Sequence, residues 1–495
     1  MNLARSAVRG AALLSVANFV AYGGSFAATL ALARMVAPNE FGKAVFAIGV
    51  AELLFVVGAW SLPLALIREP EETLSAAFDT ALALLAGISV ALLALSAAVA
   101  AGLWVLDGAQ VALVFGAIVG GRVLQLFAGC FIACLERTFA YGRFSLIQLV
   151  SIGMGAASAL ALASRGGGIW ALGVRDVAVS VTIFVLALAF AWRRPGTNVS
   201  AAKAREMLRF GAAMVGSRLG EMLFHRFDNL VVGVVAGARQ LGLYNQAYVL
   251  TETGNRLYGP ALQQLPMATY ARIQDDRERT EKVFTLLTFA LSRGLTPLAL
   301  AFALMPGEAL SVAYGGVWRE GAPILRWLSV YALLAPLFDQ MRVLLVANGA
   351  VGAVLRARAI QLVAFLPALV GATWFWDGPG ASAAVALGML TGVAAILPAV
   401  RRLTAWSWGD LVPPATAAGV AAAATLAALS GVQGDLHRLL AGGAALAAGY
   451  SLTLALIDGP RLVAFARTVL SSLRSESRVR REASSLAPAH VPSRG

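Results

Sequence analysis

Apolar residues run for about twenty positions at a time along most of the chain, broken by short polar clusters. They do not follow the period of two that a barrel strand needs. A helix of that length rises about 30 Å, and backbone groups in lipid must find partners within their own segment, so each run predicts a membrane-spanning helix. The runs fall at 11–33, 44–66, 80–106, 109–134, 145–163, 169–192, 211–235, 243–268, 283–305, 323–347, 359–376, 382–400, 411–430 and 438–457. Turn chemistry marks the breaks, as in "APNEFG" at 37–42, "RGGG" at 165–168, "RRPG" at 193–196, "MPGE" at 305–308 and "DGPG" at 377–380. The predicted fold class is an all-α polytopic membrane protein of about 14 transmembrane helices. An even count puts both termini on one side.

Composition agrees: 59% of residues are hydrophobic and 13% charged, with a mean hydropathy of +0.76, against about 45–50% and about 25% in soluble domains. The formal net charge of +13 raises the question of a polyanionic partner. Lys and Arg, however, gather on alternate connections, with a bias of roughly three to one for the side holding the N-terminus, Arg193, Arg194, Lys203, Arg277, Arg401 and Arg402. That side is predicted to be cytoplasmic. The charge is thus a topogenic and anionic-lipid signal rather than a nucleic-acid footprint. The apolar stretch after Arg5 and Arg9 runs on to Ala33, too long for the core of a cleaved signal, and reads as the first span. Cys130 and Cys134, four apart in one apolar run, read as small packing residues, and no metal site is expected.

Laying the seventh span on the first reveals a repeat. "VAPNEFGKAVFA" from Val36 aligns with "AGARQLGLYNQA" from Ala236 at an offset of 200 residues, which puts Gly42 on Gly242. Six spans separate the copies, so both halves enter the membrane in the same sense, as parallel repeats about an axis along the membrane normal. The predicted architecture is a six-helix lobe over 1–195, a second over 196–400, a V-shaped central cavity between them, and two additional helices over 401–457. The basic segment 458–495, rich in Ser and Arg, is expected to be disordered.

Charge within the spans is costly and faces protein or water. In the seventh span Arg218, Glu221, His225 and Asp228 share one helical face, with Arg226 beside it, and the eighth adds Glu252 and Arg256. Glu52, Arg122, Arg175, Asp176, Arg293, Asp339 and Arg342 lie in other spans. Guanidinium groups offer paired donors to phosphate and keep their charge, so Arg218 and Arg256 are the leading candidates for a diphosphate, with Arg226, Arg122, Arg293 and Arg342 behind them. Glu252, Asp228, Glu221, His225, Glu52 and Asp339 are candidates for coupling or for internal ion pairs such as Glu252 with Arg256 and Asp339 with Arg342. A carboxylate beside an arginine suits a coupling proton or sodium ion, and no organic cofactor is expected. Catalytic constellations are missing from the longest external loop, about 306–322, and no "GxxxxGK[ST]" phosphate loop occurs, which argues for a transporter rather than an enzyme.

Several stretches together resemble a known family. "LARMVAPNEFGKAVFAIGV" from Leu32 is similar to the first hairpin of the bacterial polysaccharide flippases. "FDNLVVGVVAGARQLGLYNQAYVL" from Phe227, "LPMATYARIQDDRE" from Leu265, "AYGGVWREGAPILRWLSV" from Ala313 and "LLVANGAVGAVLRARAIQL" from Leu344 resemble the lipid-linked oligosaccharide exporters of the multidrug/oligosaccharidyl-lipid/polysaccharide superfamily. The resemblance covers about residues 5–400. It implies alternating access between two six-helix lobes and movement of an undecaprenyl-diphosphate-linked repeat unit for exopolysaccharide, capsule or O-antigen synthesis. It also implies membrane lipids and a polysaccharide polymerase or assembly protein as partners. By the same resemblance Asp228 with Gly233, and Leu241, Gly242, Tyr244 and Ala247, are signature residues of structural kind, Tyr244 as an interfacial anchor. A cation-coupled small-molecule exporter of the same fold is the alternative, with a membrane glycosyltransferase or polymerase behind it.

Overall fold

The computed structural model describes the backbone of residues 20–58, 62–138, 140–273, 275–405, 409 and 415–485. Among these, the side chains of 57–58, 107, 213–214, 216–226, 253–266, 268, 271, 415 and 464–485 lie outside the description. Every regular element among the described residues is helical. In chain order they are α1 (20–35), α2 (Pro38–Gly58), α3 (Leu62–Arg68), α4 (Leu74–Asp107), α5 (Ala109–Arg137), α6 (Tyr141–Ala163), α7 (Ile169–Ala191), α8 (Ala201–Val235) and α9 (Gly237–Ile273). Then follow α10 (Arg277–Leu304), α11 (Pro306–Tyr314), a 3-10 turn (Gly316–Gly321), α12 (Ala322–Ala347), α13 (Val351–Leu403), α14 (Ala415–Ser430) and α15 (Asp435–Ser485). Eight described helices are long and apolar enough to cross a membrane. One of them, α13, joins two predicted spans across a kink at Trp376 and Asp377, where the "DGPG" turn was expected.

The caps explain several boundaries. Ser200 accepts from the Lys203 amide at the start of α8, and Asp276 accepts from the Arg279 amide at the start of α10. Prolines 38 and 306 occupy first helical positions, where a missing N–H costs nothing. Asp377 has a φ of 52°, a conformation that normally calls for glycine, and Gly168 before α7 adopts nearly the same angles, so the corresponding turns of the two halves share one backbone shape.

Two expectations need correction. The loop expected over 306–322 is ordered as α11 and the 3-10 turn, because Tyr314 and Trp318 are wholly buried and a buried segment must satisfy its own backbone. The segment 458–485, expected to be disordered, continues α15, and 486–495 lie outside the described residues.

Packing divides the chain into two compact units. The first takes residues 1–257, 306–331 and 358–392, and the second 258–305, 332–357 and 393–495. In the first unit Phe78, Leu85, Phe131, Leu135 and Ile147 knit α4, α5 and α6 together. The connection between α7 and α8 is strapped to α4: Asp79 accepts from the amides of Gly196 (2.8 Å) and Asn198 (3.2 Å), and the Thr80 hydroxyl from that of Ser200 (3.0 Å).

One end of this unit is closed by the repeated turns. Gly42 and Gly242 meet backbone to backbone: a Cβ on Gly42 would lie 1.7 Å from the Ala238 oxygen, and one on Gly242 2.0 Å from the Pro38 oxygen. Around the pair, Arg34 donates to the carbonyls of Val312 (2.6 Å) and Ala313 (3.2 Å), and Trp318 donates through Nε1 to Ala33 (2.7 Å). Glu40 accepts from the Ile169 amide (2.8 Å). In the second unit Phe284, Leu295, Phe338, Leu344 and Ile396 form the core, and Ala421, Leu446 and Tyr450 pack α14 on α15.

Candidate functional site

Three groups of buried charge stand out. The first joins α8, α9 and α12. Tyr244, Tyr248 and Glu252 follow at i, i+4 and i+8 on one face of α9, and Asp228 on α8 lies as far before Ala236 as Tyr244 lies after it. The antiparallel turn therefore sets the two side by side. The Tyr244 hydroxyl donates to Asp228 Oδ2 (2.6 Å), and the Asn229 amide donates to Oδ1 (2.8 Å). Tyr248 donates to the Tyr331 hydroxyl (3.0 Å), which donates to Glu252 Oε1 (2.6 Å). A small cavity of about 20 Å³ opens here, lined chiefly by Asp228, Tyr248, Tyr331, Gln361, Phe365 and Met389. Gln361 accepts from Arg358 (2.9 Å) and donates to the Met389 sulfur (3.4 Å).

Tyr244 is thus wholly buried, not an interfacial anchor as the resemblance implied. A phenol at the helix start faces inward when a carboxylate on the neighbouring helix can take its proton donor.

The second group lies in the first half. Arg122 on α5 reaches Asp176 on α7 (2.8 Å) and Glu52 on α2 (3.5 Å). Next to it Arg175 donates to the hydroxyls of Ser25 (2.7 Å) and Thr29 (3.2 Å) on α1. Arg122 Nε and Asp176 Oδ2 are buried without a hydrogen-bond partner among the described residues. The network ties four helices with balanced charge.

In the second unit Arg293 is 5% exposed and fully engaged. It donates to Asp458 Oδ2 through Nη2 (2.8 Å) and Nε (3.2 Å), to the Gly409 carbonyl (2.7 Å) and to the Ser292 hydroxyl (3.0 Å), and its guanidinium lies 3.9 Å from the Phe289 ring centre. Asp458 was missed from the sequence because it sits one residue beyond the last predicted span. Arg342 pairs with Asp339 one turn away on α12 (3.1 Å), the local pair foreseen from spacing.

The other candidates are placed only by their helices. Arg218, Glu221, His225 and Arg226 belong to α8 and Arg256 to α9, and their side chains lie outside the described residues. The structure therefore places Asp228 at the cavity and Glu252 behind it through Tyr331, and brings Arg122 to Glu52. It leaves the leading arginines to their helical register.

The fold, though not these side chains, recurs in solved structures. By fold, the chain is similar to the lipid II flippase MurJ in its inward closed conformation (TM-score 0.67, 11% identity, 89% of this chain and 98% of that one). It is also similar to an inward-facing multidrug resistance transporter of the MATE family in the MOP superfamily (TM-score 0.53, 15% identity, 77% and 94%). By sequence it is similar to the succinoglycan biosynthesis transport protein ExoT of Rhizobium meliloti (strain 1021), with 24% identity over 62% of this chain and 63% of that protein. It is likewise similar to the lipopolysaccharide biosynthesis protein WzxC of Escherichia coli (strain K12), with 27% identity over 36% of each. These alignments span less than two thirds of either relative. The profile of one family, described as polysaccharide biosynthesis protein, matches residues 31–323, more than half of the sequence. Because that match covers more than half of the sequence, the chain belongs to the polysaccharide biosynthesis protein family.

Proposed function

We propose that the protein is a flippase that carries an undecaprenyl-diphosphate-linked oligosaccharide repeat unit across the bacterial inner membrane, for exopolysaccharide, capsule or O-antigen assembly. It performs no covalent chemistry on its cargo. The observation that carries this reading is the reciprocal closure of one end of the first unit by the 36–42 and 236–242 turns. A contact made of small residues and a few hydrogen bonds can part and re-form, which alternating access requires of a gate. The named roles of the relatives in succinoglycan and lipopolysaccharide biosynthesis support the same class of cargo.

In this reading Arg218 and Arg256 take the diphosphate, with Arg226 beside them. Arg122, Arg293 and Arg342 are held by carboxylates and serve the bundle. A proton or sodium ion taken up at Asp228 or Glu252 supplies direction. Deleting the gene is expected to remove surface polysaccharide and to accumulate the lipid-linked unit. Re-expressing Arg218→Ala or Arg256→Ala should fail to restore it despite normal membrane insertion, since each charge-assisted bond to phosphate is worth roughly 1.5–3 kcal/mol. Full restoration by both variants would sink the arginine assignment, and an unchanged glycan in the deletion strain would sink the flippase.

The Lys/Arg bias supports both termini in the cytoplasm, with the closed end of the first unit facing the periplasm. Single cysteines at Gly166 and Gly378 should react with an impermeant thiol reagent in intact cells, and one at Asp275 should not. A reactive 275 reverses the topology.

A further inference from the structure

The cavity between α8, α9, α12 and α13 is lined by one carboxylate, Asp228, and two phenols, Tyr248 and Tyr331, with Glu252 hydrogen-bonded to Tyr331 and Tyr244 to Asp228 behind them. Glu252 is half-buried, whereas Asp228 is 4% exposed. From Glu252 the hydrogen bonds pass to Tyr331 and on to Tyr248, and Tyr248, Tyr331 and Asp228 all face the cavity. From the other side Tyr244 holds Asp228. The cavity is mostly apolar, but its 20 Å³ has room for about one water, and Asp228, Tyr248, Tyr331 and Gln361 offer that water polar partners, so a water there would join Tyr248 to Asp228.

We propose that Tyr331 and Tyr248 form a proton relay between Glu252 and Asp228. This rests on the reading of these carboxylates as the coupling groups, and it adds a path and a direction for the proton. As the hydroxyls are oriented, a hydronium in the cavity gives its proton to the Tyr248 oxygen. Tyr248 passes its own proton to Tyr331, and Tyr331 passes its own to Glu252 Oε1. Three O–H bonds break and three form, leaving water and a neutral carboxylic acid. Rotation of the two hydroxyls reverses the path and delivers the proton through the cavity to Asp228.

Among the described residues, the charged and titratable groups about the cavity are Asp228 on α8, Tyr244, Tyr248 and Glu252 on α9, Tyr331 on α12 and Arg358 on α13, which is directed at Gln361; Arg218, Glu221, His225 and Arg226 on α8 have side chains outside the description. The far arm of α13 contributes Val385, Gly388 and Met389, all neutral. Arg256, one turn beyond Glu252 on α9, has a side chain outside the described residues. Because Tyr248 and Tyr331 stand on different helices, the relay is complete only while α12 packs on α9. Separation of the two would leave the proton on whichever carboxylate holds it.

The test uses the purified full-length protein and the proton alone as probe. After a pH jump, time-resolved infrared spectroscopy follows the carboxylic acid carbonyl bands, assigned to Asp228 and Glu252 with D228N and E252Q. Tyr331→Phe and Tyr248→Phe each remove one hydroxyl and keep the ring. Each is expected to slow protonation of Glu252 by roughly tenfold or more, and in Tyr248→Phe, which keeps the Tyr331 bond to Glu252, the equilibrium titration midpoint of Glu252 stays put, as loss of a proton carrier affects rate and not end point. Wild-type rates in both variants would overturn the relay, and so would a moved midpoint at an unchanged rate, which marks a structural role. The underlying coupling reading has its own measurement. If D228N and E252Q leave the dependence of export on the proton gradient unchanged, coupling at these residues fails, whatever the infrared rates show.

Discussion

Gly42→Ala is expected to abolish export while the protein still inserts in the membrane, and Gly242→Ala to do the same. The added carbon in the first would fall 1.7 Å from the Ala238 oxygen and 2.8 Å from the Gly242 nitrogen, and in the second 2.0 Å from the Pro38 oxygen. Every one of these obstacles is backbone, so no rotamer change relieves it. Overpacking of a tight core costs about 1–3 kcal/mol when side chains can adjust, and backbone obstruction sits at or above the top of that range. About 3 kcal/mol is roughly a 100-fold shift in the ratio of closed to parted gates. A cysteine replacing the wholly buried Leu241 reports the change. It should be shielded in the parent and labelled by an impermeant reagent once either glycine is replaced. Gly49→Ala is the control: its new carbon would make ordinary contact with Leu230 at 3.6 Å and should leave export intact. Shielding that persists in both glycine variants would show that the contact does not gate.

The second large effect lies at Arg293 and Asp458. Removing one member of a buried ion pair strands the other without water or partner, at a cost of about 3–5 kcal/mol, whereas replacing both by apolar residues of similar volume is often neutral. Arg293→Ala and Asp458→Ala should each lower the thermal unfolding midpoint in detergent strongly, and Arg293→Met with Asp458→Leu should recover most of the loss. Arg293→Lys should fall short, since an ammonium cannot hold the carboxylate, the Gly409 carbonyl and the Phe289 face together. Export by the recovered double variant separates roles. Normal export means that Arg293 serves the bundle, and a stable but inactive protein would return it to the substrate.

Much of this frame is readable in the sequence because lipid imposes a strong pattern. The predicted span 169–192 meets α7 (Ile169–Ala191), and 109–134 meets α5 (Ala109–Arg137). Where a helix runs past the hydrocarbon, as at the start of α4, hydropathy carries no signal and the boundary slips. The repeat is legible through one glycine, since the demand on Gly42 and Gly242 is steric and tolerates nothing larger. Spacing of three finds the Asp339–Arg342 pair because both partners share a helix. No local rule finds Asp458 for Arg293, or Tyr331 for Glu252, which are far apart in the chain and meet only through packing. Tyrosines inside apolar runs read equally as core, belt or donor, so Tyr248 and Tyr331 stayed invisible, and Tyr244 read as an interfacial anchor, until the carboxylates beside them were placed.

The contact between the repeated turns is reciprocal. Pro38 faces Gly242 and Ala238 faces Gly42, so each half offers the other the same positions, shifted by 200 residues. This is the isologous arrangement of a two-fold dimer, in which one surface is complementary to itself. In a dimer of identical chains a single glycine would serve both faces, and any substitution would strike both at once. Within one chain the two faces vary separately: Glu40 and Gln240, Lys43 and Leu243, Phe46 and Gln246 differ around the shared glycines. An asymmetric cargo can therefore be met by two unlike walls that still close on a symmetric hinge point.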